Sequence, residues 1–286
     1  MKRLTLLLLL FSAACLEAQT TPRPAIWTNP FPPHKVIANV YYVGSEDLAV
    51  YLITTPAGHI LINSNLDDSL PLIRSGVEKL GFKLGDIKIL LGSHAHSDHM
   101  EGHFRVKEAT GARVLVMQGD EDIIRNPRSR GWRGVPVDQV LHDGDQVTLG
   151  GTTLVAHHTP GHTKGCTTWT MVATEGGRRY NVVVVGSPNV NPGYVLVGNK
   201  DYPQIAEDYA KSFKIWKSLP CDVFLGAHGA YYGLKEKYER NVKDPSQNAF
   251  IDPAGYKAYI EERDQAYRTE LERQRKGGGP APKKKN

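Results

Sequence analysis

Six residues, His94-Ala95-His96-Ser97-Asp98-His99, constrain this chain more than any other segment. They follow the apolar run Ile87 to Leu91 and present four side chains able to ligate a metal. Imidazole and carboxylate suit zinc and its first-row neighbours, and such donors must converge from fixed backbone positions. Alternate residues of extended backbone point the same way, so His94 and His96 project to one side of a turn. Asp98 and His99 then fall where a helix begins. Four donors this close crowd one tetrahedral ion but suit two ions sharing a turn. A lone histidine is ordinarily a hydrogen-bonded structural residue; four ligand types at this spacing do not fit that explanation.

Around this segment, short β-branched runs predict strands at Val36 to Val43, Leu48 to Thr54, His59 to Ile62, Ile87 to Leu91 and Arg113 to Met117. Asp68 to Leu80 carries apolar residues at helical spacing with Gly81 as its cap, and a further helix is expected from Asp98 to about Ala109. The second half repeats the grammar, with strands at Gln146 to Leu149, Thr153 to His157, Thr167 to Val172, Tyr180 to Val185 and Asp222 to Leu225. Helices are expected at Tyr202 to Leu219 and Pro253 to Gln274. Two strand-rich halves, each finished by helices, predict two packed sheets covered by helices on both outer faces. The Arg- and Gly-rich segment Arg125 to Val135 reads as a loop of the kind that flanks sites.

The formal charge of +5 raises the question of an anionic partner. Lys2 and Arg3 against Glu17 contribute +1, and Lys276, Lys283, Lys284 and Lys285 contribute +4, which leaves the chain between them neutral. Nucleic-acid binding by the folded part loses its electrostatic support. The basic start, the apolar run Leu4 to Ala14 and the small residues Ala13, Ala14 and Ala18 predict a secretory signal over residues 1–18, too short to span a bilayer. Lipid attachment at Cys15 is the alternative, with Ser12 a poor match to the large aliphatic residue usual three positions earlier. Past the signal only Cys166 and Cys221 remain, and both read as free buried thiols rather than a bridge. Residues 276–286, all Gly, Pro, Lys, Ala and Asn, predict a disordered basic tail.

The H-x-H-x-D-H pattern of residues 94–99 resembles the metallo-β-lactamase superfamily. That resemblance implies an αββα sandwich of two mixed sheets over residues 19–275 and two further histidines. Thr159-Pro160-Gly161-His162-Thr163 and Gly226-Ala227-His228-Gly229 supply them. Hydrolytic members such as glyoxalase II-like thioesterases and lactonases carry a metal-bridging aspartate one strand after T-P-G-H-T, where this chain has Val185-Gly186-Ser187. Serine there, with an all-histidine set, resembles the B3 subclass of metallo-β-lactamases. So do Trp27-Thr28, Asn39 to Gly44, Thr159 to Trp169, Asn191 to Tyr194, Leu219 to Val223 and Asp252-Pro253.

Carried over on matching positions, the resemblance implies one zinc on His94, His96 and His162 and a second on Asp98, His99 and His228. It implies a β-lactamase that opens penicillins, cephalosporins and carbapenems by attack of a zinc-bound hydroxide, with Asp98 orienting that hydroxide. Ser187 and Asn189 are the expected contacts to the substrate carboxylate, with Lys164 an optional third. Asn63 stands where relatives often have a ligand-bonding aspartate, and the cysteine that pairs with the Cys221 position in some relatives is absent near Gly255 and Tyr256. A periplasmic or secreted bacterial monomer without a stable membrane anchor follows. His103 is assigned a surface or supporting role, at most one of His157 and His158 faces the site, and His34, His59 and His142 are structural or surface residues. Two other readings stay open: hydrolysis of other esters, lactones or phosphodiesters on the same centre, and a non-catalytic zinc scaffold.

Overall fold

Runs such as Ile87–Leu91 and Arg113–Met117, apolar on both faces, belong in the middle of a parallel sheet. The computed structural model, which describes residues 23–129 and 131–282, puts them there; the expected signal at 1–18 lies outside the described residues. The first sheet has the order β1 (His34–Ile37), β2 (Val40–Tyr42), β3 (Tyr51–Thr55), β4 (Gly58–Ile62), β5 (Ile87–Leu91), β6 (Arg113–Met117), β7 (Gln139–Leu141). It is antiparallel up to β4 and parallel beyond. The second sheet joins β8 (Gln146–Leu149), β9 (Thr152–His158), β10 (Thr167–Glu175) and β11 (Arg178–Val185) in antiparallel fashion and adds β12 (Val223–Gly226) parallel to β11.

Period-two alternation sorts the side chains between layers. Ile60, Ile62, Ile89, Leu91, Leu115 and Met117 face the second sheet and meet Trp169, Met171 and Val184. Their neighbours Leu61, Leu90, Val114 and Val116 face outward, beneath Ile73 and Val77 of α1 (Leu70–Lys79) and Val106 of α3 (His103–Thr110). The outer face of the second sheet is covered by α5 (Ile205–Ser218) and α8 (Pro253–Arg275), which pack Phe213, Trp216, Tyr256 and Tyr267 into the same core. The result is the αββα sandwich. Asp252 caps α8 by accepting from Gly255 N at 2.8 Å, with Pro253 in the first turn.

Several elements differ from expectation for local reasons. The strand expected over 36–43 breaks into β1 and β2 because Ala38 takes φ 47° and the Asn39 amide donates to Thr54 O at 2.8 Å. The single helix expected after Asp98 splits into α2 (Ser97–Met100) and α3. Between them Gly102 donates to Asn65 O at 2.9 Å, where a Cβ would sit 2.5 Å from Ser64 O. The short α4 (Glu121–Arg125), α6 (Gly229–Tyr232) and α7 (Leu234–Lys243), with β7, carried no readable period. In the described part of 276–286, Gly193 N donates to Ala281 O at 2.7 Å, and Ala281 N to Glu270 Oε1 at 3.2 Å. Cys166 is buried, Cys221 half-buried, and neither is bridged.

Trp169 links this core to the chemistry. Its side chain is fully buried between the sheets, and its indole N–H donates to Gly92 O at 3.0 Å, at the start of the histidine turn. Trp169→Ala is expected to cost about 3–5 kcal/mol in urea unfolding at fixed metal concentration. A loss below about 1 kcal/mol would contradict this account of the inter-sheet core.

Candidate metal centre

The turn after β5 is held by backbone-directed amides. Ser93 N donates to Asn63 Oδ1 at 2.8 Å while Asn63 Nδ2 donates to Ala49 O at 3.1 Å, so Asn63 supports the turn and touches no ligand ring. The His99 carbonyl accepts from Ser64 N at 2.9 Å and Asn65 N at 3.1 Å. Asn63 and Asn65 both take left-handed backbone (φ 67° and 56°), which asparagine tolerates better than most residues.

Onto this turn the second sheet delivers its histidines, His162 from the β9–β10 connection and His228 from the end of β12. The structure brings all six residues together in two triads, His94–His96–His162 and Asp98–His99–His228. Each outer ring nitrogen that finds a partner fixes which nitrogen points inward. His162 Nδ1 lies 2.7 Å from Asn189 O, His228 Nδ1 lies 2.8 Å from Asp47 Oδ2, and His94 Nδ1 lies 3.2 Å from Ser93 Oγ. The inward atoms then face one another: His162 Nε2 and His96 Nδ1 at 3.2 Å, His99 Nε2 and His228 Nε2 at 3.1 Å. Asp98 Oδ2 lies 3.3 Å from His99 Nε2 and 3.5 Å from His228 Nε2. Two ligands each about 2.0–2.1 Å from a tetrahedral zinc stand about 3.3 Å apart. The donor set and its spacing therefore fit zinc in both triads.

Electrostatics separate the members. Burial, reinforced by neighbouring imidazoles, drives the His94 and His162 pKa values well down, and burial takes His99 down to about 3. Burial thus favours the neutral ring, the form that ligates a metal. Burial also disfavours a charged His228, but the Asp47 and Asp98 carboxylates outweigh it and raise its pKa to about 9. Burial works against ionised Asp98 too, and the His99 and His228 rings overcome it, holding the carboxyl below its ordinary range.

Two clefts meet at His96 and Asp98. A 310 Å³ cleft over the triads is lined also by Trp27, Asp47, Asn189, Asn191 and Tyr231. A 970 Å³ groove beside it is lined by Lys164 and Tyr202 and, from the expected loop, by Asn126, Arg128, Ser129 and Trp132, which form one of its walls. Ser187, an expected substrate contact, lies behind the cleft wall. Its side chain is fully buried and its hydroxyl lies 3.1 Å from Tyr231 Oη. Asn189 does line the cleft, donating to Tyr231 Oη at 3.0 Å, and the Lys164 ammonium lies 5.4 Å from the Tyr202 ring centre. His103 is buried beside Ser64 Oγ (2.6 Å), not at the surface. His157 and His158 both turn away, to Thr170 Oγ1 and Lys164 O.

Two carboxylates escaped the sequence reading. Asp47 holds His228, and Asp120 accepts from Ala95 N, Thr163 Oγ1 and Gly165 N. Asp120 follows strand β6 much as His94 follows β5, and the carboxyl ends of parallel strands are where sites gather; that placement was the available signal. Asp47, on an irregular loop, left none. Tyr194, which donates to His162 O at 2.9 Å and lies 3.4 Å from His96 Nε2, was read only as part of a matching segment.

Comparison with known proteins agrees with this geometry. The metallo-beta-lactamase superfamily model matches residues 48–228, from the start of the Leu48 segment to the last histidine. Native FEZ-1 metallo-beta-lactamase from Legionella gormanii is 49% identical, with a TM-score of 0.85 over 89% of this chain and 99% of that one. BJP-1, a subclass B3 metallo-beta-lactamase of Bradyrhizobium japonicum, is 36% identical, with a TM-score of 0.81 over 88% and 98%. Among curated relatives, the hydroxyacylglutathione hydrolase of Hyphomonas neptunium is 30% identical over 115 residues, and that of Methylococcus capsulatus 29% over 120. The chain spans only 40% and 41% of the length of these two relatives. A family match across more than half the sequence, on a fold and two ligand triads built as described, makes this chain a hydrolase of the metallo-β-lactamase superfamily, similar along nearly its whole length to subclass B3 enzymes.

Proposed function

We propose that this chain is a zinc-dependent β-lactamase, exported by its first 18 residues and acting as a monomer on penicillins, cephalosporins and carbapenems. The observation that carries the reading is the extent of the likeness. Similarity to the FEZ-1 enzyme runs over 89% of the chain at 49% identity, whereas the hydroxyacylglutathione hydrolase match stops at 40%. The end of β11 supports the same choice, because Ser187 occupies it with a buried hydroxyl where a bridging carboxylate would otherwise stand.

His94, His96 and His162 would hold one zinc ion and Asp98, His99 and His228 the other. Such a pair supplies a water acidic enough to ionise near neutrality and a Lewis acid for a carbonyl. The chain's own residues do the rest. Asp98, kept ionised by its histidine neighbours and lining both clefts, orients the attacking water by accepting its hydrogen bond. Asn189, beside the triads, is placed to meet the carboxylate of a bicyclic β-lactam, with Tyr231 bracing its amide. Lys164 adds a cation at the edge of the larger groove, which has room for the substituents that distinguish one lactam from another.

A second reading, thioester hydrolysis, draws on the curated relatives. Purified protein offered a penicillin, a cephalosporin, a carbapenem, a lactone and a hydroxyacylglutathione thioester separates the two. The lactams are expected to be opened, with loss on chelation and recovery on adding zinc; thioester or lactone turnover without lactam turnover would sink the proposal.

His228 makes a second prediction. Its pKa of about 9 leaves the metal-free ring protonated near neutrality, and the ring must be neutral to ligate. Zinc uptake at about pH 7 should therefore release about one proton there, and affinity at that triad should rise with pH until about 9 and flatten above. Calorimetry in buffers of different ionisation enthalpy counts the proton; an uptake independent of buffer and pH would refute it.

A further inference from the structure

We propose that Asp120 is the positioning residue of the three-histidine triad, holding its two loops at the spacing a metal ion requires. The assignment rests on the zinc reading above. Asp120 follows Gly119 after strand β6 and is fully buried, 1% exposed. Its Oδ2 accepts from Ala95 N and from Thr163 Oγ1, both at 2.7 Å, and its Oδ1 accepts from Gly165 N at 2.8 Å. Ala95 lies between His94 and His96, and Thr163 follows His162. One carboxylate thus joins the first-sheet loop that carries two ligands to the second-sheet loop that carries the third. Among its hydrogen bonds none reaches a ligand ring, so it acts through backbone position. The fit is close: a Cβ on Gly165 would come 2.7 Å from the Asp120 Cβ and Cγ.

The second triad is supported elsewhere. Asp47 accepts from Ala230 N at 3.0 Å and pairs with His228 Nδ1, and the His99 carbonyl is gripped by Ser64 and Asn65. Each triad therefore has its own carboxylate, and loss of one should weaken one ion. Asparagine cannot substitute for Asp120. Three donors converge on two oxygens, and an amide would set its NH2 against at least one buried N–H, at a cost that neither solvent nor a neighbour relieves.

The test is zinc occupancy, not turnover. Full-length wild type, Asp120→Asn, Asp47→Asn and Thr163→Ala are stripped with chelator and titrated with zinc against a chromophoric competitor. Anomalous scattering from crystals grown at one and two equivalents locates each ion. In Asp120→Asn the three-histidine ion should bind about 10–100-fold more weakly and the other within about threefold of wild type, with Asp47→Asn reversing the pattern. Thr163→Ala removes one of the three hydrogen bonds and should weaken the same ion about 3–10-fold, which keeps the question answerable if Asp120→Asn does not fold. Equal loss at both triads, loss only at the Asp98 triad, or no loss at either would overturn the assignment. A wild-type chain that takes up no zinc would overturn the metal reading beneath it as well.

Discussion

Bringing five imidazoles and a carboxylate into mutual contact costs free energy, because His94, His99 and His162 are buried and give up the water their ring nitrogens would otherwise bind. The histidine set cannot hold itself in that arrangement; the fold imposes it. Four donors come from a turn at the carboxyl end of β5 in one sheet, and two from connections in the other, so the spacing within each triad depends on how the sheets pack. Trp169 anchors that packing to the turn through Gly92 O, and Trp216, buried behind the second sheet, donates to Thr168 Oγ1 at 2.7 Å and stiffens the same strand. The large aromatic content of the core thereby serves the site as well as stability.

The outer nitrogens show the same economy of support. Asn189 uses its carbonyl to take His162 Nδ1 and the Tyr209 hydroxyl (2.6 Å), while its side chain meets Tyr231. Behind it, Gln274 of α8 donates to Tyr194 O and accepts from Leu196 N, so the loop bordering the cleft is tied to the last helix. The cleft-lining Asn189 and Asn191 thus sit on a loop braced from the rear.

What was legible in the sequence was what local periodicity and ligand spacing encode. The central strands β5 and β6 could be bounded to the residue because all but Lys88 and Arg113 are apolar and buried, and His94 to His99 announced themselves by density. His162 and His228 needed the family resemblance, since each alone is an ordinary turn histidine. Asp120 and Asp47 were opaque for a different reason: their partners, backbone N–H groups together with the Thr163 hydroxyl and the His228 ring, lie 25 to 45 and 181 to 183 residues away, which leaves no periodic trace. Ser187 was singled out by the resemblance; that its hydroxyl meets Tyr231, which arrives from beyond β12, left no local signal. The hydrogen bond from Gly193 N to Ala281 O was equally invisible, because it is made by main-chain groups that composition does not report.

Each triad draws ligands from both halves of the chain. His162 lies 66 residues after His96, and His228 lies 129 residues after His99. An ion in either place is therefore also a clasp that closes a long loop, as a disulfide would, and the entropy it removes from the unfolded chain grows with the length it spans. In a chain whose Cys166 and Cys221 stay unpaired, that role falls to the triads. The residues that serve chemistry would then also be the fastening between the two sheets, and the endurance of the fold would follow the supply of metal.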